Sequence, residues 1–521
     1  MPIRTSVILV ILTTIACITQ AQTPTWSGNV ARIVYTKCTP CHRQGEIAPF
    51  DLITYADAKI RANTIKAVTQ SRYMPPWKPL PGHADYLGDR SLSAEEQAVI
   101  TAWVDGGSPE GDPAQTPPPP TFPTGSQLGT PDLVLEMSES WSVVDNNTDV
   151  YRYFVLPTNL LQDQNIRALE FRPGNAAVVH HVLYYLDTTG TARRKDEEDK
   201  LAGYSGFGDP GFTSAASYLG WVPGAQSRFF PPNIGARLLK NSDLVIQVHY
   251  APSFLPATDK SHVNVFFDDD PQIRVVNEFS LGPLNLDGEL FLIPANQSKR
   301  FVAKYKIPLD VSLMGVAPHM HLLGRECRAY AVTPKGDTIK LVGVNDWDFN
   351  WQGGYTFRHL IRVPRNSTLY YEATYDNTTG NSLNPNSPPK LVGWGEKTTD
   401  EMILCYFHWL PYQAGDELIE LETNPVLSVE SDLKTDFRFV FSPNPAFDES
   451  HITFDLSQPQ RISLDVVDAM GQSVYVLKKN SPFERGQHSI PYSVAHLANG
   501  AYFVRMESSR GLVSIPFVVA R

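Results

Sequence analysis

The chain has 521 residues, 42% of them hydrophobic and 11% aromatic, and a formal net charge of −11. This length exceeds what one ordinary hydrophobic core supports, so the sequence predicts several folded domains. The acidic balance provides no basic surface and predicts no nucleic-acid partner. No segment beyond the N-terminus is continuously apolar enough to predict a transmembrane span.

Residues 1–21 are predicted to be an export signal. Arg4 supplies the positive start, and Val7 to Ile18 form an apolar core that is too short to span a bilayer. Thr19-Gln20-Ala21 is a small-residue cleavage site. Cys17 follows a poor lipoprotein signal, so simple cleavage ranks above lipid attachment. The sequence therefore predicts a secreted or cell-surface protein, exported through the periplasm.

The first motif after this signal is Cys38-Thr39-Pro40-Cys41-His42. Cys-x-x-Cys-His is the pattern of covalent c-type haem attachment, in which the thiols bind the vinyl groups and the histidine takes one axial position on iron. A redox Cys-x-x-Cys pair is the alternative, but the adjacent histidine in an exported protein favours haem. We therefore predict covalently bound haem c on Cys38, Cys41 and His42.

Helices are predicted around this motif at Gly28 to Lys37 and Tyr55 to Ser71, and a third after the capping box Ser93-Ala94-Glu95-Glu96. Residues 22–111 resemble cytochrome c, a small all-α domain. In that family a loop methionine commonly supplies the second axial ligand. The resemblance implies that Met74, stiffened by two following prolines, takes this role. The alternatives are an open sixth position or one held by His83.

Residues 112–127 are predicted to be a semi-rigid linker, because the stretch is rich in proline. Beyond it, short β-rich runs are separated by Gly, Pro, Asn and Asp clusters. This pattern predicts two antiparallel, jelly-roll-like β-sandwiches at residues 128–280 and 281–424. The clearest predicted strands are Tyr151 to Leu156, Val178 to Leu186, Leu244 to Tyr250, Val302 to Ile307 and Met402 to Trp409.

Residues 430–521 form a third β-rich module, in which turn sequences such as Ser442-Pro443-Asn444-Pro445 and Asp468-Ala469-Met470-Gly471 alternate with predicted strands. The module resembles the C-terminal sorting domain of proteins exported by the type IX secretion system. The resemblance implies a small immunoglobulin-like sandwich and the export machinery as a partner. Val513-Ser514-Ile515-Pro516-Phe517 replaces the family's usual lysine-containing final strand, so cleavage or anchoring stays open. The alternative is an immunoglobulin-like module that only protects the end of the chain.

Five histidines and one methionine occur within predicted strands of the two large sandwiches, and the other residues of these strands are predicted to lie in the hydrophobic core. An unpaired imidazole is costly there, and coordination of a metal relieves the cost. His319 and His321 are two residues apart, so an extended strand would place both rings on one face. The donors selected in this way are His180, His181, His249, His319, His321 and Met402.

Five imidazoles and one thioether, without a thiolate, favour copper, because a thioether selects copper and especially Cu(I). The missing cysteine ligand argues against a blue-copper site. A zinc hydrolase with three histidine ligands is the weaker alternative, because zinc has little use for a thioether. Three further histidines are predicted to be structural or surface groups: His262, His359 and His408.

Residues 131–421 resemble the ascorbate-dependent type 2 copper monooxygenases, the family of peptidylglycine α-hydroxylating monooxygenase and dopamine β-monooxygenase. The matching motifs are His180-His181, Gln247-Val248-His249, His319-Met320-His321 and Asp400-Glu401-Met402, in the family's chain order. The resemblance implies two β-sandwich halves that face each other across a solvent-filled cleft and hold two copper ions.

The resemblance also implies a role for each copper. The copper on His180, His181 and His249 stores and delivers an electron. The copper on His319, His321 and Met402 binds dioxygen and abstracts hydrogen from an sp³ C–H bond. His180 and His181 are adjacent, and adjacent strand residues normally point to opposite faces, so joint binding requires a local twist or bulge. The alternative is that one coordinates and the other is a buried core histidine.

Some substrate-binding positions of the family carry different residues here, and this limits the class of substrate that can be expected. Ala317 stands where peptide-hydroxylating relatives have a carboxylate-binding arginine, and Leu404 replaces their asparagine, whereas Tyr406 keeps their tyrosine. The resemblance therefore implies a less polar or uncharged small organic substrate. Gln247 is expected to orient His249 or cleft water, unless it is an ordinary outward-facing strand residue.

The relatives' disulfide pattern cannot be carried over, because their cysteine beside the methionine is displaced here to Cys405. Its pairing with Cys327 is left open.

The order of signal, haem domain, short linker and copper domains predicts that the haem delivers electrons to copper. A monooxygenation needs two electrons, and one reduced copper supplies only one. The haem would replace or supplement a diffusible reductant such as ascorbate, and the donor that reduces the haem is unknown. The sequence therefore predicts an exported copper monooxygenase that uses O₂. The alternative is a non-catalytic electron-transfer or copper-binding surface protein.

Overall fold

The computed structural model describes residues 23–123, 125–143, 149–206, 209–216, 218, 220–250, 256–421, 439–456, 459–468, 473–508 and 511–519. The predicted export signal, with Cys17, lies outside the described residues. The chain forms two compact units, Met1–Glu422 and Thr423–Arg521. It is mostly β-structure arranged in several separate sheets. Among the described helices, none has the length and apolar character needed to cross a membrane.

The first unit begins with helices that follow a single π-helical turn at Trp26–Val30. Their core is formed by large side chains such as Trp26 and Trp103, both almost completely buried. The predicted capping box is present, because Ser93 and Glu96 each accept the other's backbone N–H. The predicted helix from Tyr55 to Ser71 is divided into two at Arg61. The helices are α1 (Ala31–Lys37), α2 (Tyr55–Ile60), α3 (Ala62–Gln70) and α4 (Ala94–Asp105).

The chain between α3 and α4 packs into the second half of the β-region. Tyr86 is only 5% exposed within that core, and its hydroxyl donates to the Leu341 carbonyl at 2.6 Å. It also forms a β-bridge with Phe357. The Leu80 N–H donates to the Gly343 carbonyl at 2.7 Å. The helices and the large sheets therefore belong to one compact unit.

The described residues of the first half of the β-region form ten strands and one helix. The strands are β1 (Leu133–Glu136), β2 (Trp141–Val143), β3 (Val150–Pro157), β4 (Gln164–Arg172), β5 (Val179–Asp187), β6 (Ile234–Leu238), β7 (Asp243–Tyr250), β8 (Ala257–Asp259), β9 (His262–Asp268) and β10 (Arg274–Val275), and α5 (Thr191–Glu198) follows β5. A five-stranded sheet, β1-β9-β4-β6-β10, and a three-stranded sheet, β3-β7-β5, share one hydrophobic core. The pair β2-β8 is separate, and only β6-β10 is parallel among these described pairs.

The second half contains ten further strands. They are β11 (Asn277–Leu281), β12 (Leu292–Ile293), β13 (Gln297–Lys306), β14 (Val311–His319), β15 (Gly324–Val332), β16 (Thr338–Val344), β17 (Tyr355–Val363), β18 (Thr368–Asn377), β19 (Val392–Gly393) and β20 (Leu404–Pro411). Two four-stranded antiparallel sheets, β11-β20-β14-β17 and β13-β18-β15-β16, enclose one core, and β12 pairs with β19. Alternate β18 residues are buried, as expected for a strand with one face on the core.

The second unit contains two antiparallel sheets. Its strands are β21 (Val440–Ser442), β22 (Glu449–Leu456), β23 (Gln460–Asp468), β24 (Ser473–Phe483), β25 (Gly486–Ser493), β26 (Gly500–Ser508) and β27 (Gly511–Val519). Sheets β21-β22-β25 and β24-β23-β26-β27 share a core that includes Phe454, Leu464 and Phe517. The turn residues Ala469 to Gly471, named in the sequence prediction, lie outside the described residues.

Candidate metal centre

His180, His181 and His249 lie together on the sheet β3-β7-β5. The central strand β7 places His249 directly opposite His181. The register of β5 shifts between Val179 and His181, so His180 is the extra residue of a bulge. The bulge required for both adjacent histidines to face one site is therefore present.

The three rings direct nitrogen atoms at one another. His181 Nδ1 lies 3.1 Å from His180 Nδ1 and 3.4 Å from His249 Nδ1. One nitrogen from each ring falls within 4.8 Å of the other two. Three ring nitrogens that converge at this spacing can act together as ligands of one cation. The three histidines therefore form a candidate metal site.

Asp149 fixes the orientation of His249. The ring Nε2 donates to Asp149 Oδ1 at 2.9 Å, and the Thr398 hydroxyl donates to the other carboxylate oxygen at 2.5 Å. Burial alone would raise the pKa of Asp149, but the hydrogen bonds from His249 and Thr398 lower it overall. A carboxylate that accepts from Nε2 leaves the Nδ1 lone pair directed at the other two histidines.

His319 and His321 occupy different kinds of backbone. β14 ends at His319, so the prediction that both lie on one strand was wrong for His321, which lies in the following turn. Their rings are nevertheless close, with centroids 5.2 Å apart. His319 Nδ1 donates to the Gln352 side-chain oxygen, and His321 Nδ1 donates to the Asp400 carbonyl at 3.2 Å. Both bonds leave Nε2 as the nitrogen available to a metal.

Glu401 joins the turn that carries His321 to the segment that carries Met402. This fully buried carboxylate accepts the backbone N–H groups of His321, Leu323 and Met402 at 2.9, 2.6 and 3.2 Å. Burial raises the pKa of Glu401 to about 8, and the three N–H groups oppose this shift. Met402 precedes β20, which begins at Leu404, two residues later than the sequence predicts.

The two sets of histidines are in contact with each other. The His181 and His319 rings are 6.3 Å apart, and Phe349 packs against both His180 at 5.3 Å and His321 at 5.6 Å. The five imidazoles therefore form one group, here called the histidine cluster, whereas the resemblance implies two sets on opposite sides of a cleft.

Burial keeps the histidine cluster uncharged. It lowers the pKa of His180 and of His319 to about 3 and that of His321 to about 4, and neighbouring histidines add to the lowering in all three. The pKa of His181 falls well below its ordinary value for the same reason, and that of His249 falls although Asp149 opposes the shift. Neutral imidazole is the form that binds a metal.

A cavity of about 480 Å³ opens beside the histidine cluster and is also lined by Met402. Its wall is mixed: it includes the charged side chains of Arg90, Glu278 and Glu396 as well as aromatic ones, which include Tyr151, Tyr185, Trp221, Tyr355, Trp394 and Tyr406. Gln247 lines the cavity and donates to the Tyr153 hydroxyl at 2.6 Å, so this hydrogen bond orients the amide toward tyrosine and not toward His249. His408 lines it as well and donates to Glu278 at 2.9 Å.

Cys38, Cys41 and His42 form a tight turn at the end of α1. The N–H groups of Cys41 and His42 donate to the Cys38 carbonyl at 3.1 and 2.9 Å. His42 Nδ1 donates to the Phe50 carbonyl at 3.1 Å, which leaves Nε2 available. Burial raises the pKa of the Cys38 thiol to about 12. A histidine that is an axial ligand of haem needs the ring orientation of His42, with Nδ1 hydrogen-bonded and Nε2 available to iron.

Met74 follows α3, and its N–H donates to the Val68 carbonyl at 3.0 Å. The ring of His83, the alternative ligand, packs instead against Gly343 in β16. Cys327 and Cys405 are both buried free thiols, so the disulfide left open by the sequence is absent between these two described residues.

Residues 440–520 match the family model of the secretion system C-terminal sorting domain. The chain therefore carries a type IX sorting domain, which indicates an exported protein, secreted or attached to the cell surface. No curated protein matches the chain in sequence.

Some solved structures match parts of the chain at very low identity. The major capsid protein P2 of bacteriophage PM2 is 7% identical, with 55% of this chain and 99% of that chain covered and a TM-score of 0.22. A Faecalibacterium prausnitzii β-glucuronidase is 9% identical, with 43% and 38% covered and a TM-score of 0.13. The Dictyoglomus thermophilum β-D-glucuronidase is 10% identical, with 49% and 40% covered and a TM-score of 0.11. Likeness at these TM-scores identifies no fold.

Proposed function

We propose that the chain is an exported copper-dependent monooxygenase that hydroxylates an sp³ C–H bond of a small organic substrate with O₂. Its electrons come through its own c-type haem domain. The observation that carries the proposal is the histidine cluster, in which five neutral imidazoles, two of them buried and three half-buried, converge beside the cavity that Met402 also lines.

The donor set fits copper. Asp149 leaves the His249 Nδ1 lone pair free, while the partners of His319 and His321 leave their Nε2 atoms free. The thioether of Met402 favours copper over zinc. Copper bound by these residues would supply the one-electron redox chemistry that activates O₂.

The surrounding residues orient the donors and receive the substrate. Glu401 holds the turn with His321 and the segment with Met402 in a fixed relation through three backbone hydrogen bonds. The aromatic side chains of the cavity wall provide apolar surface against which a small organic substrate can pack. Ala317, paired with Tyr406 across β14 and β20, supplies no charge for a substrate carboxylate. Burial raises the pKa of the Tyr406 hydroxyl, so it keeps its proton and would be able to donate a hydrogen bond to a substrate oxygen in the cavity.

The turn Cys38 to His42 fits covalent haem, because both thiols are free and the His42 ring is already oriented by Phe50. A haem there would supply single electrons. The packing of Tyr86 in the second sandwich supports delivery within one chain, because it holds the haem-binding helices and the histidine cluster in the same compact unit.

The test is the haem and metal content of purified full-length protein, followed by O₂ uptake with a reductant and a panel of hydroxylatable compounds. Met402→Ile should keep haem and fold but lose substrate-dependent O₂ consumption, and His249→Ala should lose copper. His451→Ala, at an exposed position of the second unit, is the matched control and should change neither. Full turnover by Met402→Ile would overturn the assignment. Copper and haem without substrate-dependent O₂ consumption would instead identify an electron-transfer protein.

A further inference from the structure

A short stretch of the second sandwich, residues 346–352, contacts both the histidine cluster and the loop that contains Met74. We call it the bridge segment, and we call residues 73–78 the methionine loop. The bridge segment contains a single 3₁₀ turn, Phe349–Trp351, between β16 and β17.

On one side, the bridge segment touches histidines from both sets. Phe349 stacks on His180 with centroids 5.3 Å apart and meets His321 edge-on at 5.6 Å. Gln352 accepts the hydrogen bond from His319 Nδ1, and its amide nitrogen donates to the Phe349 carbonyl at 3.0 Å. The orientation of these three imidazoles therefore depends on two side chains of one turn.

On the other side, the bridge segment contacts both ends of the methionine loop. The ring of Tyr73 meets the ring of Trp351 edge-on, with centroids 6.3 Å apart. Lys78 Nζ lies 3.1 Å from a carboxylate oxygen of Asp346 and 3.9 Å from one of Asp348, and the Lys78 side chain is only 9% exposed. These contacts lie on either side of Met74 in the sequence.

The bridge segment is internally tied, so its two sides do not move independently. The Asp348 carboxylate accepts the Asn350 N–H at 3.0 Å, and the Asp348 carbonyl accepts the Trp351 N–H at 2.9 Å. Phe349 and Trp351 therefore belong to one hydrogen-bonded turn. A displacement of Phe349 would therefore act on Trp351 through the backbone of this turn, in which only Asn350 separates them.

We infer that the bridge segment links the metal state of the histidine cluster to the environment of the Met74 ligand, with Tyr73 and Trp351 as positioning residues. This inference rests on the proposed function. Metal bound at the two sets would hold the His180 ring of one set and the His321 ring of the other against Phe349. This would fix the turn and the position of Trp351 against Tyr73. The reduction potential of a haem depends on how its axial ligand is held. The potential should therefore differ between copper-loaded and copper-depleted protein.

The experiment measures the haem reduction potential and the visible absorption spectrum of full-length protein with and without added copper. Wild-type protein should show a copper-dependent difference in potential. Tyr73→Leu should lose at least half of this difference, and Lys78→Gln, which removes the contacts at the other end of the loop, should also reduce it. Tyr305→Leu is the matched control, because Tyr305 is 43% exposed, like Tyr73 at 47%, and contacts Phe279 in the second sandwich. This variant should keep the full difference.

Haem and copper content are measured on every sample. If both are bound, an undiminished difference in Tyr73→Leu and Lys78→Gln, or no copper-dependent difference in the wild type, overturns the inference alone. Wild-type protein that binds no copper or no haem overturns the inference together with the proposed function.

Discussion

Replacement of Asp149 with asparagine removes the charge that orients His249 but keeps the size of the side chain. The hydrogen bond it weakens joins His249 Nε2 to Asp149 Oδ1 at 2.9 Å, between side chains that are 1% and 18% exposed, so solvent screens it little. Loss of such a partner of a metal-binding histidine typically lowers metal affinity about 10- to 100-fold, or about 1.4–2.7 kcal/mol. We expect Asp149→Asn to lower copper affinity within this range, toward its upper end because of the burial.

The assay is a competition titration of full-length protein against a copper chelator of known affinity. Asp287→Asn is the matched control, because Asp287 is an exposed aspartate that pairs with Lys304 at a surface of the second sandwich. This control should bind copper as the wild type does. Equal copper affinity in Asp149→Asn and wild-type protein would refute the reasoning that Asp149 prepares His249 for a metal.

Substitutions at three further positions test which contacts stabilise the fold that carries the histidine cluster. Glu401→Gln leaves one side-chain oxygen for three backbone N–H groups, so the free energy of unfolding should fall by about 1–3 kcal/mol and copper content should fall with it. Tyr86→Ala should cost about 3–5 kcal/mol of unfolding free energy in urea titrations, whereas Tyr86→Phe, which loses only the hydrogen bond to Leu341, should cost about 1 kcal/mol. Asp416 accepts hydrogen bonds from both terminal nitrogens of Arg274, at 2.7 and 2.8 Å. Burial raises the pKa of Asp416, but hydrogen bonds, including those from Arg274, lower this pKa overall. The contribution of ionised Asp416 to the free energy of unfolding should therefore be complete above the ordinary aspartate pKa of about 3.9. It should disappear as the pH falls through the lower pKa that Asp416 has in the folded chain. In urea titrations at different pH, Asp416→Asn should lose this part of the dependence of stability on pH.

Each of these expectations has a contradicting outcome. Unchanged copper content in Glu401→Gln would mean that Glu401 does not position His321 and Met402. Equal stability of Tyr86→Ala and wild-type protein would mean that this side chain is not part of the second core. If the free energy of unfolding of Asp416→Asn falls at low pH as it does in the wild type, the pair with Arg274 does not stabilise the folded chain.

Local sequence patterns predicted the parts of the structure that depend on neighbouring residues. The capping box at Ser93 is present because its two bonds join residues three apart. If His180 and His181 bind one metal, as the resemblance implies, strand geometry requires a local twist or bulge there, and a bulge is present. The two-sheet C-terminal module, with its alternating turns and strands, was likewise visible in the sequence and matches a family model.

Features that depend on tertiary contacts were not predictable in the same way. β14 ends at His319 because its pairing partner β20 begins at Leu404, and the extent of that pairing is not encoded near His321. Asp149 and Gln352 belong to no motif, and they act only because folding brings them to His249 and His319. The insertion of Tyr86 into a core formed by residues between Leu281 and Phe407, about 200 to 320 positions later, also has no local signal.

Anomalous diffraction at the copper absorption edge, from crystals of copper-loaded full-length protein, tests the central claim most directly. We predict copper peaks at the histidine cluster, one bounded by His180, His181 and His249 and one bounded by His319, His321 and Met402. Anomalous peaks confined to other surfaces, or none at the histidine cluster, would contradict the account.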